Sequence, residues 1–277
     1  MKRALYYTLL FLVYQAVSSL AVSKLFPILF QSSAAEGPMT ALIVSDLIAS
    51  LLTIFTFVYA KWCPVGLSFV KTRPYGIIVL SVVVALSSLF PSAWFEEQLP
   101  DAMTTDLLQD VFEALMRSPM GYVAVGLLAP LTEELVFRGA ILRALLLWLG
   151  DKRLSQSTAT WTAIAVSALL FAIVHLNPAQ MPHAFLLGLL LGWIYCRTHS
   201  ILPGIIFHWI NNSMAFLFTA LYPELPYNAK LVDYFAGNQM NADIAVAVSF
   251  LILIAVICCL NKLTRNIASN LSTSSPS

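Results

Sequence analysis

Residues 118–148 read SPMGYVAVGLLAPLTEELVFRGAILRALLLW, and the fold class follows from them. A hydrocarbon core about 30 Å thick needs roughly 20 apolar residues of helix, and this run exceeds that length. Yet Glu133, Glu134 and Arg138 stand inside it. An ionisable group at mid-bilayer costs on the order of 2.5–3.5 kcal/mol on insertion scales, so three in one helix call for a reason.

The rest of the chain fits a membrane solvent. Of 277 residues, 59% are hydrophobic and 10% charged, whereas soluble domains carry roughly 25% charge. So few charges cannot cover a water-facing surface. The formal net charge of +1 gives no general attraction to nucleic acid. Cys63, Cys196, Cys258 and Cys259 lie in or beside apolar runs, without zinc-ligand spacing or a secreted-domain framework. They read as small apolar packing residues.

Apolar runs at about 5–30, 40–60, 76–95, 118–148, 157–176, 181–198, 201–222 and 242–261 predict an all-α, polytopic membrane bundle of about eight transmembrane helices. Lys2 and Arg3 before the first run imitate a secretory signal, and Ala21-Val22-Ser23 resembles a cleavage site. The run resumes through Leu25 to Phe30, however, and is read as a retained helix. Cations segregate between loops: Lys2, Arg3, Lys61, Lys71, Arg73, Arg143, Lys152, Arg153, Arg197, Lys262 and Arg265 fall on one side. Glu36, Glu96, Glu97, Asp101, Asp106, Asp110, Glu113, Glu224 and Asp233 fall on the other, with Lys24, Arg117 and Lys230 as the cations there. The positive-inside rule then puts both termini in the cytoplasm, as suits a bacterial inner membrane. Between Glu96 and Glu113, apolar Met103, Leu107, Leu108, Phe112, Leu115 and Met116 recur at a helical period, predicting a short amphipathic helix at the outer face. The Ser-rich tail from Asn266 to Ser277 is expected to be disordered.

The charges of the fourth run have company. His175 lies near the end of the fifth, and His208 and Asn212 lie inside the seventh. Glu134 and Arg138, four apart, share a helix face and can pair. That leaves Glu133, about 100° around the helix, without an obvious local partner. His208 and Asn212 are likewise four apart. A carboxylate can deprotonate a water, an imidazole can orient it or protonate a leaving amine, and an amide N–H can hold an oxyanion. Each residue alone has a bland reading: a Glu–Arg clamp, an interfacial His, an Asn that glues helices. All of them together on three helices point to a hydrolytic site. His183, His199 and Asn211 read as ordinary, and Gly188 and Gly192 form a small-xxx-small packing pair.

At these residues the chain resembles the CPBP family of intramembrane proteases, which includes type II CAAX prenyl endopeptidases and bacteriocin-processing or immunity proteins. The first motif appears as Glu133-Glu134-Leu135-Val136-Phe137-Arg138 followed by Gly139, the second as Phe171 to His175, and the third as His208 to Asn212. No motif position departs from the pattern. The resemblance implies Glu133 as general base, His175 and His208 shaping the site, Asn212 in the oxyanion hole, and Glu134 with Arg138 as structural support. It also implies a protein or peptide substrate, possible lipidation included, at the membrane lipid.

The domain reading is therefore N-terminal helices with an outer amphipathic segment over residues 1–118, a catalytic core over 119–215, and a last helix with a polar tail over 216–277. Two His and one Glu can in principle bind zinc. Without a His-Glu-x-x-His helix, a metal-free glutamate mechanism with no cofactor is the preferred expectation. Two other function classes stay open. One is a transporter or ion relay, which often shows repeated halves that this sequence lacks. The other is a non-catalytic peptide-binding immunity protein.

Overall fold

Lipid offers the backbone no hydrogen-bond partners, so a chain this apolar must satisfy its peptide groups within helices. The computed structural model describes residues 1–30, 37–65, 68–71, 74–100, 108–226 and 229–273, and among them there are helices and no strand. The helices are α1 (Lys2–Phe30), α2 (Gly37–Tyr59), α3 (Tyr75–Glu97), α4 (Gln109–Met116), α5 (Pro119–Gly150), α6 (Gln156–Ile173), α7 (Met181–Thr198), α8 (Leu202–Leu221) and α9 (Gln239–Thr273). A single turn, Ser68–Lys71, and a 3₁₀ turn, Leu231–Phe235, complete the set.

Seven of the described helices are long and apolar enough to cross a membrane. The expected eighth span is α7. It has the length, 18 residues, but Pro182, His183 and Arg197 inside it dilute its apolar character below that of its neighbours. It is nonetheless part of the bundle, packed along α6 and against α8.

The long fourth run forms the axis. Every residue from Leu135 to Leu142 is buried, with α1, α2, α6 and α7 packed around that stretch. The lipid-facing helices show the reverse pattern. On α1, Ala4, Tyr7 and Phe11 turn inward, and Phe11 meets Phe137 with ring centroids 5.8 Å apart. Leu9, Val13, Val17 and Leu20 form an exposed stripe on the same helix. In water such a stripe would be a liability; against acyl chains it costs nothing.

The charge segregation has a structural counterpart. Glu97 accepts the Leu231 N–H at 2.5 Å, and Arg117 donates to the Pro223 carbonyl at 3.3 Å while pairing with Glu113. The acidic connections therefore gather at one end of the bundle. Of the expected amphipathic segment, Gln109–Met116 is helical with Leu115 buried. Asp101, Met103, Asp106 and Leu107 lie outside the described residues, as do Glu36 and Arg73. The tail expected to be disordered from Asn266 begins inside α9, which runs to Thr273, and residues 274–277 lie outside those described.

Small residues set a close contact between α6 and α7, as the Gly188 and Gly192 spacing predicts. A methyl group at Gly188 would stand 2.8 Å from the Ala168 Cβ and 2.9 Å from its Cα. The obstacle is backbone, so α6 and α7 would have to separate. Gly188→Ala is expected to cost about 1–3 kcal/mol, the usual penalty of overpacking. Thermal unfolding in detergent measures it, and an unchanged midpoint would show that the two helices separate freely.

Candidate active site

The site is built on an irregular helix. α5 is π-helical over Tyr122–Leu128 and again over Leu135–Leu142, with an α-helical stretch, Ala129–Glu134, between. π-Helical turns are rare and recur at functional sites. Here the cause of the first is visible. Pro130 lacks an N–H, and its ring crowds the carbonyl one turn back. The Ala129 N–H reaches back five residues to the Ala124 carbonyl, so the next carbonyl in that register, Val125, faces a residue with no proton to give. Asn212 on α8 supplies one, its Nδ2 donating to the Val125 oxygen at 2.9 Å. A helix carbonyl left bare in an apolar bundle would cost on the order of 1–3 kcal/mol. In the second π stretch, Ser167 of α6 donates to the Phe137 carbonyl at 3.1 Å in the same manner. One N–H of Asn212 is thus committed to α5, and one remains.

Glu134 and Arg138 pair as their spacing predicts, Oε1 to Nη1 at 2.8 Å, with side chains 0% and 1% exposed. Two further contacts hold the guanidinium: Nη2 donates to the Gly188 carbonyl at 3.4 Å, and the plane lies 4.5 Å from the Phe171 ring centroid. The other carboxylate oxygen of Glu134 is accommodated because residue 204 is glycine. A Cβ there would stand 2.7 Å from Glu134 Oε2.

His208 sits between the two glutamates. Its Nε2 lies 3.7 Å from Glu133 Oε2 and its Nδ1 3.4 Å from Glu134 Oε1. Counting 1.5 Å per residue along straight helices sets Glu133 and His208 at different depths, by on the order of 10 Å. That offset is absent. Glu133 keeps 18% of its side chain exposed and lies beside His208. It is the carboxylate of the pair that arginine does not hold.

His175 departs from expectation in one respect. α6 ends at Ile173, so His175 lies two residues beyond it, in a tight turn that Leu176 closes at φ 53°. The turn fixes the ring: Nδ1 shares a proton with the Phe171 carbonyl at 2.8 Å. The carbonyl is the acceptor, so the proton sits on Nδ1 and Nε2 is left as a lone pair in the neutral imidazole. Among the described residues His175 makes no hydrogen bond to either glutamate. It meets the site through Phe171, whose ring lies 5.0 Å from His175 and 5.8 Å from His208, both edge-on. The motif's phenylalanine is therefore a hub shared by the two imidazoles, Arg138 and Phe137.

Several site residues are not signalled by the motifs. Asp46 lies half-buried on α2, which packs against α5. It is an acid in an apolar run, so the criterion that picks out Glu133 also picks out Asp46. His183 and Asn211, read as ordinary, are joined. The Asn211 amide donates to His183 Nε2 at 3.2 Å, and His183 Nδ1 lies 3.0 Å from Glu96 Oε1. Asn211 is more buried than Asn212, because it points toward α7 while Asn212 points toward α5. Tyr122 ties the same two helices again, accepting from Trp209 Nε1 and sharing a proton with Ser213, each at 3.1 Å.

Among the described residues no three of His, Cys, Asp and Glu converge into a group that could hold a metal ion. The donor set gives zinc two close partners at best, Glu133 and His208, since His175 stands behind Phe171. The arrangement does offer a carboxylate and an imidazole 3.7 Å apart, a fixed second imidazole and an amide N–H. Those groups can activate a water and receive charge on a carbonyl oxygen.

Residues 116–214 match the family described as type II CAAX prenyl endopeptidase Rce1-like. A curated relative, the membrane-embedded CAAX protease MroQ of Staphylococcus aureus (strain USA300), is 31% identical over 106 residues. Those residues are 38% of this chain and 42% of that protein, so the likeness spans less than half the length of either. No solved structure matches the chain. The matched stretch, residues 116–214, is the one that carries all three motifs, and its similarity to Rce1-like type II CAAX prenyl endopeptidases agrees with the resemblance those motifs carry.

Proposed function

We propose that the chain is an intramembrane endopeptidase in which Glu133 activates water against a peptide bond. The observation that carries this reading is the division of labour between adjacent glutamates. Glu134 is locked to Arg138 at 2.8 Å, whereas Glu133 faces His208 at 3.7 Å and stays partly exposed.

A water between Glu133 and His208 gives one proton to the Glu133 carboxylate as its oxygen adds to the scissile carbonyl carbon. The carbonyl oxygen takes the negative charge, stabilised by the uncommitted N–H of Asn212 and by an N–H of His208. Collapse of the tetrahedral species breaks the C–N bond. The proton on Glu133 passes to the departing nitrogen, which leaves as the amine, and the new carboxyl group remains on the other fragment. His175, held by the Phe171 carbonyl, fixes the ring that packs against His208.

The substrate class is a protein or peptide at the membrane, and a lipidated C-terminal peptide is the first to test, because the matched relative is a CAAX protease. Both termini are assigned to the cytoplasmic side of a bacterial inner membrane. The test is cleavage of a panel of prenylated and unmodified peptides by purified wild type and Glu133→Gln, with and without chelator. Wild-type cleavage that survives chelation and vanishes in Glu133→Gln supports the reading. Loss in chelator that zinc restores replaces it with a metalloprotease. No cleavage by wild type shifts weight to binding or transport.

A further inference from the structure

Hydrolysis in a helical bundle consumes one water per turnover, and a lipid-embedded site must be supplied with it. This question rests on the proposed reaction, but the geometry that answers it does not. On one side of the Glu133–His208 pair the way is sealed. Beyond Arg138 come Phe137, Ile141, Leu142, Leu145, Leu191 and Ile194, each 0% exposed. Such a close-packed apolar layer has no groups to hold water.

The other side carries polar groups. Asn211 lies three residues after His208 on α8, about 60° around the helix. Its side chain is buried, and its Oδ1 has no protein partner among the described residues. A buried amide oxygen left bare costs on the order of 1–3 kcal/mol, and ordered water is a common remedy. The Asn211 nitrogen contacts His183 at 3.2 Å, and His183 contacts Glu96 at 3.0 Å. His183 and Glu96 are each 31% exposed, at the start of α7 and the end of α3. Three helices thus contribute one group each to a chain from the acidic end of the bundle to the turn of α8 that carries His208.

We infer that water reaches Glu133 from the Glu96 end of the bundle, along a polar route formed by Glu96, His183 and Asn211. His183, with Nδ1 on Glu96 and Nε2 on Asn211, holds the amide so that its oxygen faces arriving water rather than the imidazole. The site therefore draws on the aqueous phase at the acidic face, and not on the one beside the basic loops.

Accessibility tests this without any substrate. The full chain, with its four native cysteines replaced, is placed in sealed proteoliposomes whose orientation is read from a C-terminal tag. Asn211→Cys and Ile194→Cys are then treated with a charged, membrane-impermeant thiosulfonate from either face. Labelling of position 211 from the Glu96 face alone, with position 194 silent, is the expected result. Labelling of 211 only from the opposite face, or at neither, overturns the route. Hydroxyl-radical footprinting of wild-type protein checks, without substitution, that water reaches the site at all: His208 becomes oxidised while Phe137 does not. Protection of both rings overturns the inference. Because neither measurement needs turnover, a chain that cleaves no peptide can still show the route, and a cleaving chain can still lack it.

Discussion

Glu133→Gln is expected to lower peptide cleavage by about 10²–10⁴-fold, the usual contribution of a positioned general base, while unfolding within a degree or two of wild type. The amide keeps the volume and planarity of the carboxylate and removes only its capacity to take a proton. Stability should hold because nothing structural depends on the charge: Glu133 is 18% exposed, and its ionic neighbour is His208 at 3.7 Å rather than an arginine. The adjacent position gives the contrast. Glu134→Gln leaves Arg138 as a charge that is 1% exposed with its counter-ion gone, so it should lose folded protein first and activity as a consequence. Cleavage rate and thermal midpoint measured together on both variants separate the roles. A Glu133→Gln protein that still cleaves at more than about a tenth of the wild-type rate, less than the usual loss, would remove Glu133 as the base.

Much of this site was legible in the sequence because membrane burial makes polarity conspicuous. Glu133, Glu134, Arg138, His175, His208 and Asn212 stand out against apolar runs, and the four-residue spacing of Glu134 and Arg138 already implies their 2.8 Å contact. Helix number was nearly as open to reading, since length and hydropathy decide it, with α7 the one expected span that falls short. What the sequence hid falls into two kinds. The first is backbone bonding. Pro130 signals trouble in a helix, but the resulting π turns, and the use of Asn212 to cap the Val125 carbonyl, appear only when α8 is seen beside α5. The depth argument, which assumed straight α-helices of equal reach, is overturned by the 3.7 Å contact between Glu133 and His208. The second is partnership across helices. His183 looks interfacial and Asn211 looks redundant until each is found on the other at 3.2 Å. Gly204 has no polarity to draw attention, yet a side chain there would press on Glu134 Oε2. Asp46 is different, since its place in an apolar run marks it by the rule applied elsewhere.

Arg138→Leu is expected to be the most destabilising single change in the chain, by about 3–5 kcal/mol, because breaking a buried pair from one side leaves an uncompensated charge. Glu134 is 0% exposed, so its carboxylate would stand in an apolar core with only His208 at 3.4 Å to answer it. Arg138→Lys should recover little. The guanidinium pairs with Glu134, donates to the Gly188 carbonyl and lies flat over Phe171 at once. A compact ammonium has neither the fork nor the plane to do all three. Replacing both partners, Glu134→Leu with Arg138→Leu, removes the two charges together and should regain much of the lost stability, since apolar substitutes for buried ion pairs are often neutral or better. Activity should not return with it. His208 Nδ1 would lose the carboxylate that faces it, and Phe171 the cation that presses its ring toward both imidazoles. Thermal unfolding of the two singles and the double gives the coupling energy directly. A double variant that is stable and inactive would mark the pair as a brace for His208, whereas one that is stable and fully active would show that the brace serves the fold alone.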